Sequence, residues 1–396
     1  MGCSPRAPDV VVAAMRVLTH FGARRRPPTR SAEPSILEVR DATGATRDVA
    51  LSQWTGEDGL AAGLDRLGAH GMAPGGPVLT AYAALRLASA ALVAPGQRGG
   101  RVLPTGQLVG ELLVALMISG RNHPELVRCR DGWAVVRWRD ESERELFTAL
   151  AGPEGSVPRD DAVAVARAAR LMVGAVRAPD GGAILDLGTG ALDGDTTTVR
   201  RPRVIDWTVL WAGPWAAQRL RGSGAGVRRI EHPRRRDGLL AWPEGHRWWQ
   251  GLNRGKHLAL LDARQPSDRE QLDAALGQAD ILLTSMTPRA LRSLAVDDPW
   301  RAEHAPGLLH VELVAFDAPW SDAPGLGEHA AAEAGLLWRS GDAPASPYPW
   351  ADPLLGAAAL GLCRAWLASS RRRGGRVRLT LQQAAALPFT LAAQRS

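Results

Sequence analysis

From residue 204 onward, short apolar runs alternate with helical segments, and this alternation is the feature that most constrains the fold. Strands are predicted at 204–207, 227–231, 258–262, 280–284, 308–313 and 376–381, and helices at 214–221, 269–277, 288–294, 328–338 and 353–369. Strands that alternate with helices form a mainly parallel sheet. Each crossover helix carries the chain back to the edge at which the preceding strand began, so the next strand runs in the same direction. We therefore predict an α/β fold with a doubly wound, Rossmann-like sheet over residues 204–396.

The first 176 residues have a different pattern, dominated by Ala, Leu, Val and Arg. Helical spacing predicts helices at 82–93, 107–119 and 161–176. Residues 133–138, which follow the turn pair Asp131-Gly132, are typical of a strand. Residues 177–203 are rich in Gly, Asp, Thr and Arg, which favours a linker. The chain is thus predicted to divide into residues 1–176, a linker at 177–203, and residues 204–396.

Composition argues against several classes of protein. No run of 18 uncharged apolar residues predicts a membrane helix, and the first residues contain no long apolar segment typical of a secretory leader. Cys3, Cys129 and Cys363 are widely separated, which suits neither a disulfide framework nor a metal cluster. We therefore expect a cytoplasmic protein without a metal ion or a membrane partner.

The charge balance is strongly basic, with a net charge of +7 and a pI of about 10.4. Such a balance attracts polyanions, including phosphorylated cofactors, although abundant arginine is a sufficient alternative explanation. Lys256 is the only lysine. The arginine triplets at 234–236 and 371–373 lack an aromatic platform or a known nucleic-acid module, so we expect solvated faces and no nucleic-acid partner. The first triplet also suits the phosphates of a nucleotide-like cofactor.

Two glycine-containing motifs resemble cofactor-binding turns but lack the required context. Ile184–Gly190 is similar to the first motif of S-adenosylmethionine methyltransferases, yet a poor helix follows it, so a methyltransferase is only a distant alternative. Gly222–Gly226 contains three alternating glycines. A dinucleotide fingerprint needs a strand before it and a helix after it, whereas here the order is reversed. This segment therefore predicts a helix end and a turn.

Five segments after residue 204 occur in an order that resembles the family III CoA-transferases. This is the CaiB/BaiF-type family, in a superfamily with formyl-CoA transferase and α-methylacyl-CoA racemase. The segments are Val204–Pro214 with its Ala-Gly-Pro turn, Gly226–Pro233, Leu252–Asp262 with its Leu-Asn-x-x-Lys loop, Ala279–Leu291, and Trp350–Gly356. The resemblance covers residues 204–390, about half of the chain.

The resemblance implies that coenzyme A binds as an acyl-CoA substrate and that a carboxylic acid accepts it. The implied cofactor-binding residues are Leu210, Trp211, Ala212, Gly213, His232, Lys256, Thr284, Ser285 and Arg289. Lys256 falls at the family's phosphate-side lysine. The sequence departs from the family pattern at Trp211, His232, Thr284-Ser285 and Ala351. A bulky indole at Trp211 would narrow the pocket, and His232 weakens a phosphate contact at neutral pH.

Asp352 falls where the family has its catalytic aspartate. A carboxylate at a helix start faces backbone N–H groups that keep it ionised and oriented. It can then attack a thioester carbonyl to form an acyl-aspartyl anhydride and, after CoA re-attacks, an aspartyl-CoA thioester. Backbone amides at the start of the same helix would stabilise the oxyanion. An ordinary N-cap is the structural alternative for Asp352.

The N-terminal half also contains a family resemblance. Arg130–Val136, with the helices after it, is similar to the family's small α+β domain, which normally lies on the C-terminal side. This implies a permuted domain order, and the resemblance also implies an interlocked homodimer. Three functional alternatives stay open. They are an acyl-CoA racemase or isomerase that uses His329 and Asp352 as acid and base, a non-catalytic subunit that binds CoA or an acyl group, and the methyltransferase.

Overall fold

The computed structural model describes residues 81, 82, 85, 124–180, 201–242, 244–340, 344–345, 347–367 and 374–390, and the backbone alone of residues 36–40, 46–50, 368 and 391–393. Residues 81, 82 and 85 are helical, as predicted for the helix at 82–93. The predicted helix at 107–119, the motif at 184–190 and the arginine triplet at 371–373 lie outside the described residues.

The described elements run as follows. The strands are β1 Ile36–Arg40, β2 Thr46–Ala50, β3 Glu125–Cys129, β4 Gly132–Arg137, β5 Met172–Ala175, β6 Arg203–Trp207, β7 Gly226–Glu231, β8 His257–Leu260, β9 Ile281–Thr284, β10 Leu309–Val314 and β11 Gly375–Thr380. The helices are α1 Glu141–Ala151, α2 Arg159–Ala168, α3 Ala212–Gly222, α4 Gly245–Asn253, α5 Pro266–Gly277, α6 Pro288–Ser293, α7 Asp298–His304, α8 Gly327–Glu333, α9 Ala351–Ala368 and α10 Leu381–Ala393. A short 3₁₀ turn spans Gly238–Ala241.

A six-stranded parallel sheet forms the centre of the C-terminal half. Its strand order is β11-β10-β9-β6-β7-β8, and every neighbouring pair is parallel. Strands β9 and β10 are buried along their whole length, because a parallel sheet is covered by helices on both faces. The predicted doubly wound α/β fold is confirmed. The carboxyl ends of all six strands meet at one edge, which is where such folds place ligands.

A smaller antiparallel sheet precedes it, with strand order β3-β4-β5 and helices α1 and α2 packed against it. The single helix predicted over residues 161–176 is wrong in its second half. Helix α2 ends at Ala168, Arg170 adopts a left-handed φ of 64°, and Met172–Ala175 pairs with β4 instead. Pairing with β4 buries Val173 completely, which overrides the local helical spacing.

Other sequence-based boundaries also need correction. The helix predicted at 328–338 ends at Glu333, because Gly335 has a φ of 90° that a continuing helix cannot adopt. Helices α1, α4, α7 and α10 were not predicted. Helix α4 spans only nine residues and contains two tryptophans, a histidine and an arginine. The division into domains at 177–203 stays a prediction. In the described part of the chain, no helix is long and apolar enough to cross a membrane.

Helix α9 is nearly all buried, and it runs parallel to α3. Near its start, Gly356 lies so close to Ala212 that an added Cβ would meet the Ala212 carbonyl oxygen at 3.0 Å. Further along, the Arg364 guanidinium donates to the Ser223 hydroxyl at 2.8 Å, just after the end of α3. Both helices therefore begin at the carboxyl edge of the large sheet, since α3 directly follows β6.

Candidate active site at the carboxyl edge of the sheet

Asp352 lies in the first turn of α9, four residues before the contact between Gly356 and Ala212. Four helical residues rise about 6 Å along the axis. Because the helices are parallel, Asp352 therefore lies beyond the start of α3, on the side of the turn formed by Leu210 and Trp211. The structure thus brings the predicted nucleophile to the same edge as the predicted cofactor turn.

The Asp352 carboxyl group faces the start of α8. A Cβ added to Gly327 would lie 1.8 Å from Asp352 Oδ2, so only glycine allows this approach. Burial, and after it the nearby Glu328, raise the pKa of Asp352 to about 7. Arg137 and the backbone N–H groups of Asp352 and Gly327 act in the opposite direction. At neutral pH the carboxyl group is therefore divided between its acid and its carboxylate.

Glu328 is paired with an arginine from the small sheet. The Arg137 guanidinium donates to Glu328 Oε1 through Nε at 2.7 Å and through Nη2 at 2.6 Å. Both side chains are buried. One turn further along α8, Glu333 accepts from Arg167 at 2.6 Å, from Arg177 at 2.7 Å and from the Ala175 N–H at 2.8 Å. Helix α8 is thus joined to the N-terminal sheet by two sets of charged contacts.

His329 is fully buried beside Glu328. Its Nδ1 accepts from the Leu326 N–H at 3.1 Å, so the proton of the neutral ring is on Nε2. This Nε2 has no hydrogen-bond partner among the described residues. Burial lowers the pKa of His329 to about 4. Its charged neighbours are Glu328, Arg137 and Arg167, and Asp352 is not among them. The acid–base role predicted for His329 stays a prediction.

The predicted cofactor turn at the end of β6 is stabilised by contacts with the residues packed around it. Leu210 adopts a left-handed φ of 63°, and its N–H donates to Asp237 at 3.2 Å. Trp211 is buried and stacked on Trp215, with ring centroids 5.4 Å apart, so its indole lies against α3. At Gly213, an added Cβ would lie 2.4 Å from the Thr208 side chain, so the turn requires glycine there. Ala212 is buried beside it.

A buried ionic network supports this turn. Arg229, fully buried on β7, pairs with Asp206 at 3.1 Å, with Glu231 at 2.6 Å and with Asp237 at 2.6 Å. Burial alone would raise the pKa of Asp206, but the adjacent Lys256 and Arg229 cations outweigh it and lower that pKa. Since Asp237 also holds Leu210, the network ties the carboxyl ends of β6 and β7 to the turn.

Lys256 belongs to this network. Its Nζ donates to Asp206 at 2.8 Å, to the Pro214 carbonyl at 2.7 Å and to Asn253 Oδ1 at 2.9 Å. Three acceptors use all three ammonium protons, and only 1% of the side chain is exposed. Burial lowers its pKa to about 8. In this structure the ammonium group therefore stabilises the turn from inside the protein. A contact with a phosphate would require the ammonium group to be accessible from solvent.

The remaining predicted cofactor residues lie at the ends of neighbouring strands. Ser285 Oγ accepts from the Val209 N–H at 2.9 Å, which joins the ends of β9 and β6. His232 Nδ1 accepts from the Arg234 N–H, and its Nε2 lies 3.5 Å from Asp262. Thr284 is buried and bonds to His310 at 2.9 Å, so its side chain faces the interior of the sheet.

Three arginines at this edge are exposed. Arg289 uses its backbone N–H to bond Asp322, while Arg234 and Arg235 follow β7 directly. The three guanidinium groups have no hydrogen-bond partner among the described residues. A cleft of about 830 Å³, with four arginines in its lining, lies at the opposite, amino-terminal edge of the sheet. None of the predicted site residues lines that cleft.

The sequence did not single out Arg137, Glu328, Asp237 or Arg229 as site residues. Arg137 and Glu328 are 191 positions apart, so no local pattern could pair them. Asp237 could have been found from the sequence, because an Asp before a Gly, directly after the first arginine triplet, is typical of a helix N-cap. It is the N-cap of the 3₁₀ turn. Among the described residues, no group of His, Cys, Asp or Glu side chains is arranged to hold a metal ion.

Comparison with known proteins identifies the C-terminal half. Residues 201–393 match the family model described as CoA-transferase family III. A succinyl-CoA–D-citramalate CoA-transferase of Chloroflexus aurantiacus is 28% identical over 144 residues, which are 34% of this chain and 35% of that protein. A succinate–glutarate CoA-transferase of Agrobacterium fabrum is 24% identical over 158 residues, 37% of this chain and 40% of that protein. The chain thus spans about a third of the length of the curated relatives that it matches.

Solved structures give weaker matches. A CaiB/BaiF family protein from Brucella suis aligns with a TM-score of 0.42 and 22% identity, over 49% of this chain and 55% of that chain. A hypothetical protein from Mycobacterium tuberculosis aligns with a TM-score of 0.42 and 24% identity, over 51% of this chain and 59% of that chain. Both matches leave about half of this chain unaligned.

Proposed function

We propose that the protein, whose residues 201–393 match the model of CoA-transferase family III, transfers CoA from an acyl-CoA thioester to a carboxylic acid, with Asp352 as nucleophile. The observation that carries the proposal is the position of Asp352, at the carboxyl edge of the parallel sheet and against the backbone of Gly327. Coenzyme A is a substrate in this reaction. Adjacent to its predicted binding turn, Arg234 and Arg235 present exposed cations that suit its phosphates.

The proposed chemistry starts with attack of the Asp352 carboxylate on the thioester carbonyl. The C–S bond breaks, CoA leaves as its thiolate, and an acyl-aspartyl anhydride remains. The thiolate then attacks the aspartyl carbonyl of the anhydride, which releases the donor acid and leaves an aspartyl-CoA thioester. The acceptor carboxylate attacks this thioester, and the same two steps in reverse yield the new acyl-CoA and free Asp352. No net proton or electron is consumed.

The local structure suits the role of Asp352. A carboxylate must be ionised to attack, and its pKa of about 7 leaves a substantial ionised fraction at neutral pH. A carboxylate with a raised pKa is also a stronger nucleophile than an ordinary aspartate. The N–H groups near Gly327 and at the start of α9 are the donors available to a developing oxyanion.

The test is CoA exchange in purified protein, measured by mass spectrometry with a panel of acyl-CoA thioesters and carboxylic acids. Exchange should be lost in Asp352→Ala and in Asp352→Asn. It should persist in Asp273→Asn, whose carboxylate pairs with Arg269 on the surface of α5. Hydroxylamine should trap an adduct on Asp352 in the wild type. CoA binding without exchange or adduct would instead support a binding subunit, and no CoA binding would refute the proposal.

One observation favours racemase or isomerase chemistry as a second candidate. The Nε2–H of His329 is buried and has no partner in the described part of the chain, and it lies on the helix whose first residue touches Asp352. A base and an acid on opposite sides of an α-carbon could exchange its proton. Incubation with 2-methylacyl-CoA in deuterated water distinguishes the candidates. Deuterium at the α-carbon that requires both His329 and Asp352 supports the racemase, whereas exchange of CoA without deuterium supports the transferase.

A further inference from the structure

The small sheet contributes charge to the candidate active site. Arg137 is the last residue of β4, and its guanidinium binds one oxygen of Glu328 through two N–H groups. Glu328 directly follows Gly327, the residue that touches Asp352. A chain of three groups thus leads from the N-terminal half, through the start of α8, to the proposed nucleophile.

We propose that Arg137 and Glu328 are positioning residues for Asp352, so that the N-terminal sheet supplies the counter-charge that favours the ionised form of the nucleophile. The inference rests on the proposed role of Asp352. Two carboxyl groups close together in a buried site resist simultaneous ionisation. The pairing of Arg137 with Glu328 relieves this conflict, because the bidentate cation neutralises the second carboxylate. It also fixes the residue that follows Gly327, and with it the approach of the Gly327 N–H to Asp352.

The surroundings of Asp352 leave few other charged groups to consider. From α8 and β4 the charged neighbours are Glu328 and Arg137. On the α3 side, Gly356 of α9 packs against Ala212 and Trp215, which do not titrate near neutral pH. His329 on α8 is neutral at pH 7, since its pKa lies at about 4. Among the described residues, the Arg137–Glu328 pair is therefore the main charged influence on Asp352.

Opposite effects of two substitutions test the inference. Glu328→Gln removes the competing carboxylate, so the acidic limb of the kcat/KM profile for CoA exchange should move to lower pH. At pH 6 its activity should rise relative to wild type, by about fivefold for a shift of one pH unit. Arg137→Gln leaves Glu328 unpaired, so the acidic limb should move to higher pH. About a fivefold loss at pH 7 should then be recovered near pH 9.

The double variant separates positioning from folding. Arg137→Gln alone leaves a buried carboxylate without a partner and can destabilise the fold. Arg137→Gln combined with Glu328→Gln removes both charges, and its acidic limb should lie between those of the single variants. Equal losses in both single variants at every pH would show a merely structural role and refute the inference.

A second readout does not require activity. The ¹³C carboxyl signal of Asp352, assigned by its loss in Asp352→Asn, can be titrated in wild type and variants. The midpoint should move down in Glu328→Gln and up in Arg137→Gln. Wild-type protein without exchange activity would refute the transferase proposal, while the titration would still test the inference. Unchanged midpoints in both single variants would overturn it.

Discussion

Replacement of Asp352 by asparagine should stabilise the protein at neutral and alkaline pH and have little effect below about pH 4. The pKa of Asp352 rises from 3.8 to about 7 in the folded protein. Between these values the folded state binds more protons than the unfolded state, so stability falls as pH rises from about 4 to 7. Asparagine has nearly the same shape and carries no charge, so it avoids the cost of ionisation.

The magnitude follows from the same values. Each pKa unit corresponds to about 1.4 kcal/mol, so ionisation of Asp352 in the folded state costs at most about 4 kcal/mol. Because the residue keeps some exposed surface, we expect a gain of about 2 to 4 kcal/mol for Asp352→Asn at pH 8. At pH 5 Asp352 is protonated in the folded wild type but largely ionised in the unfolded chain, so the gain for Asp352→Asn should be smaller, about 1 to 2 kcal/mol.

Urea denaturation at pH 5 and pH 8, followed by tryptophan fluorescence, measures this difference. The comparison is valid where the m-values of the two proteins agree. Asp262→Asn is the control, because a hydrogen bond from the Arg264 N–H lowers the pKa of Asp262, so asparagine should not stabilise there. A stability difference between Asp352→Asn and wild type that is the same at both pH values would refute the reasoning.

Three further predictions follow from the packing and the ionic network. Gly174→Ala should destabilise the protein by about 3 kcal/mol, because the added methyl would lie 2.3 Å from a carbonyl oxygen of α8. Gly251→Ala is the control, because the space around Gly251 is open and the substitution should not destabilise the protein. Thermal denaturation of the two variants measures the difference. Lys256→Met should cost about 3 kcal/mol at pH 7 and about 2 kcal/mol more at pH 9.5, because the pKa of Lys256 is lower in the folded than in the unfolded state, so that wild-type stability rises with pH above about 8; urea denaturation at the two pH values measures this. Arg234→Ala with Arg235→Ala should weaken CoA binding at least about tenfold, and calorimetry at two salt concentrations should show a smaller salt dependence than in wild type.

The large sheet was predictable because most of its strands are buried apolar runs separated by helical segments. Val204–Trp207 and Ile281–Thr284 have this pattern in the sequence alone. The end of α2 was not predictable, because the strand that replaces the helix depends on pairing with β4. Local spacing carries no information about that partner.

The candidate site was only partly predictable for a similar reason. Asp352 could be placed by the order of motifs around it. The environment of Lys256 could not, because Asp206 lies 50 positions upstream and meets it only in the folded sheet. A lysine in a loop is ordinarily solvated, and nothing local indicates that three acceptors surround this one.

The buried lysine has a practical consequence. Since Lys256 is the only lysine and only 1% of its side chain is exposed, amine-reactive reagents find a single ε-amino group, and that group is shielded in the folded state. Acylating reagents and lysine-specific proteases therefore act there only when the contacts of Lys256 with Asp206, Pro214 and Asn253 break. The rate of modification at this one position would report how often the Lys256 amine leaves these contacts, without an engineered probe.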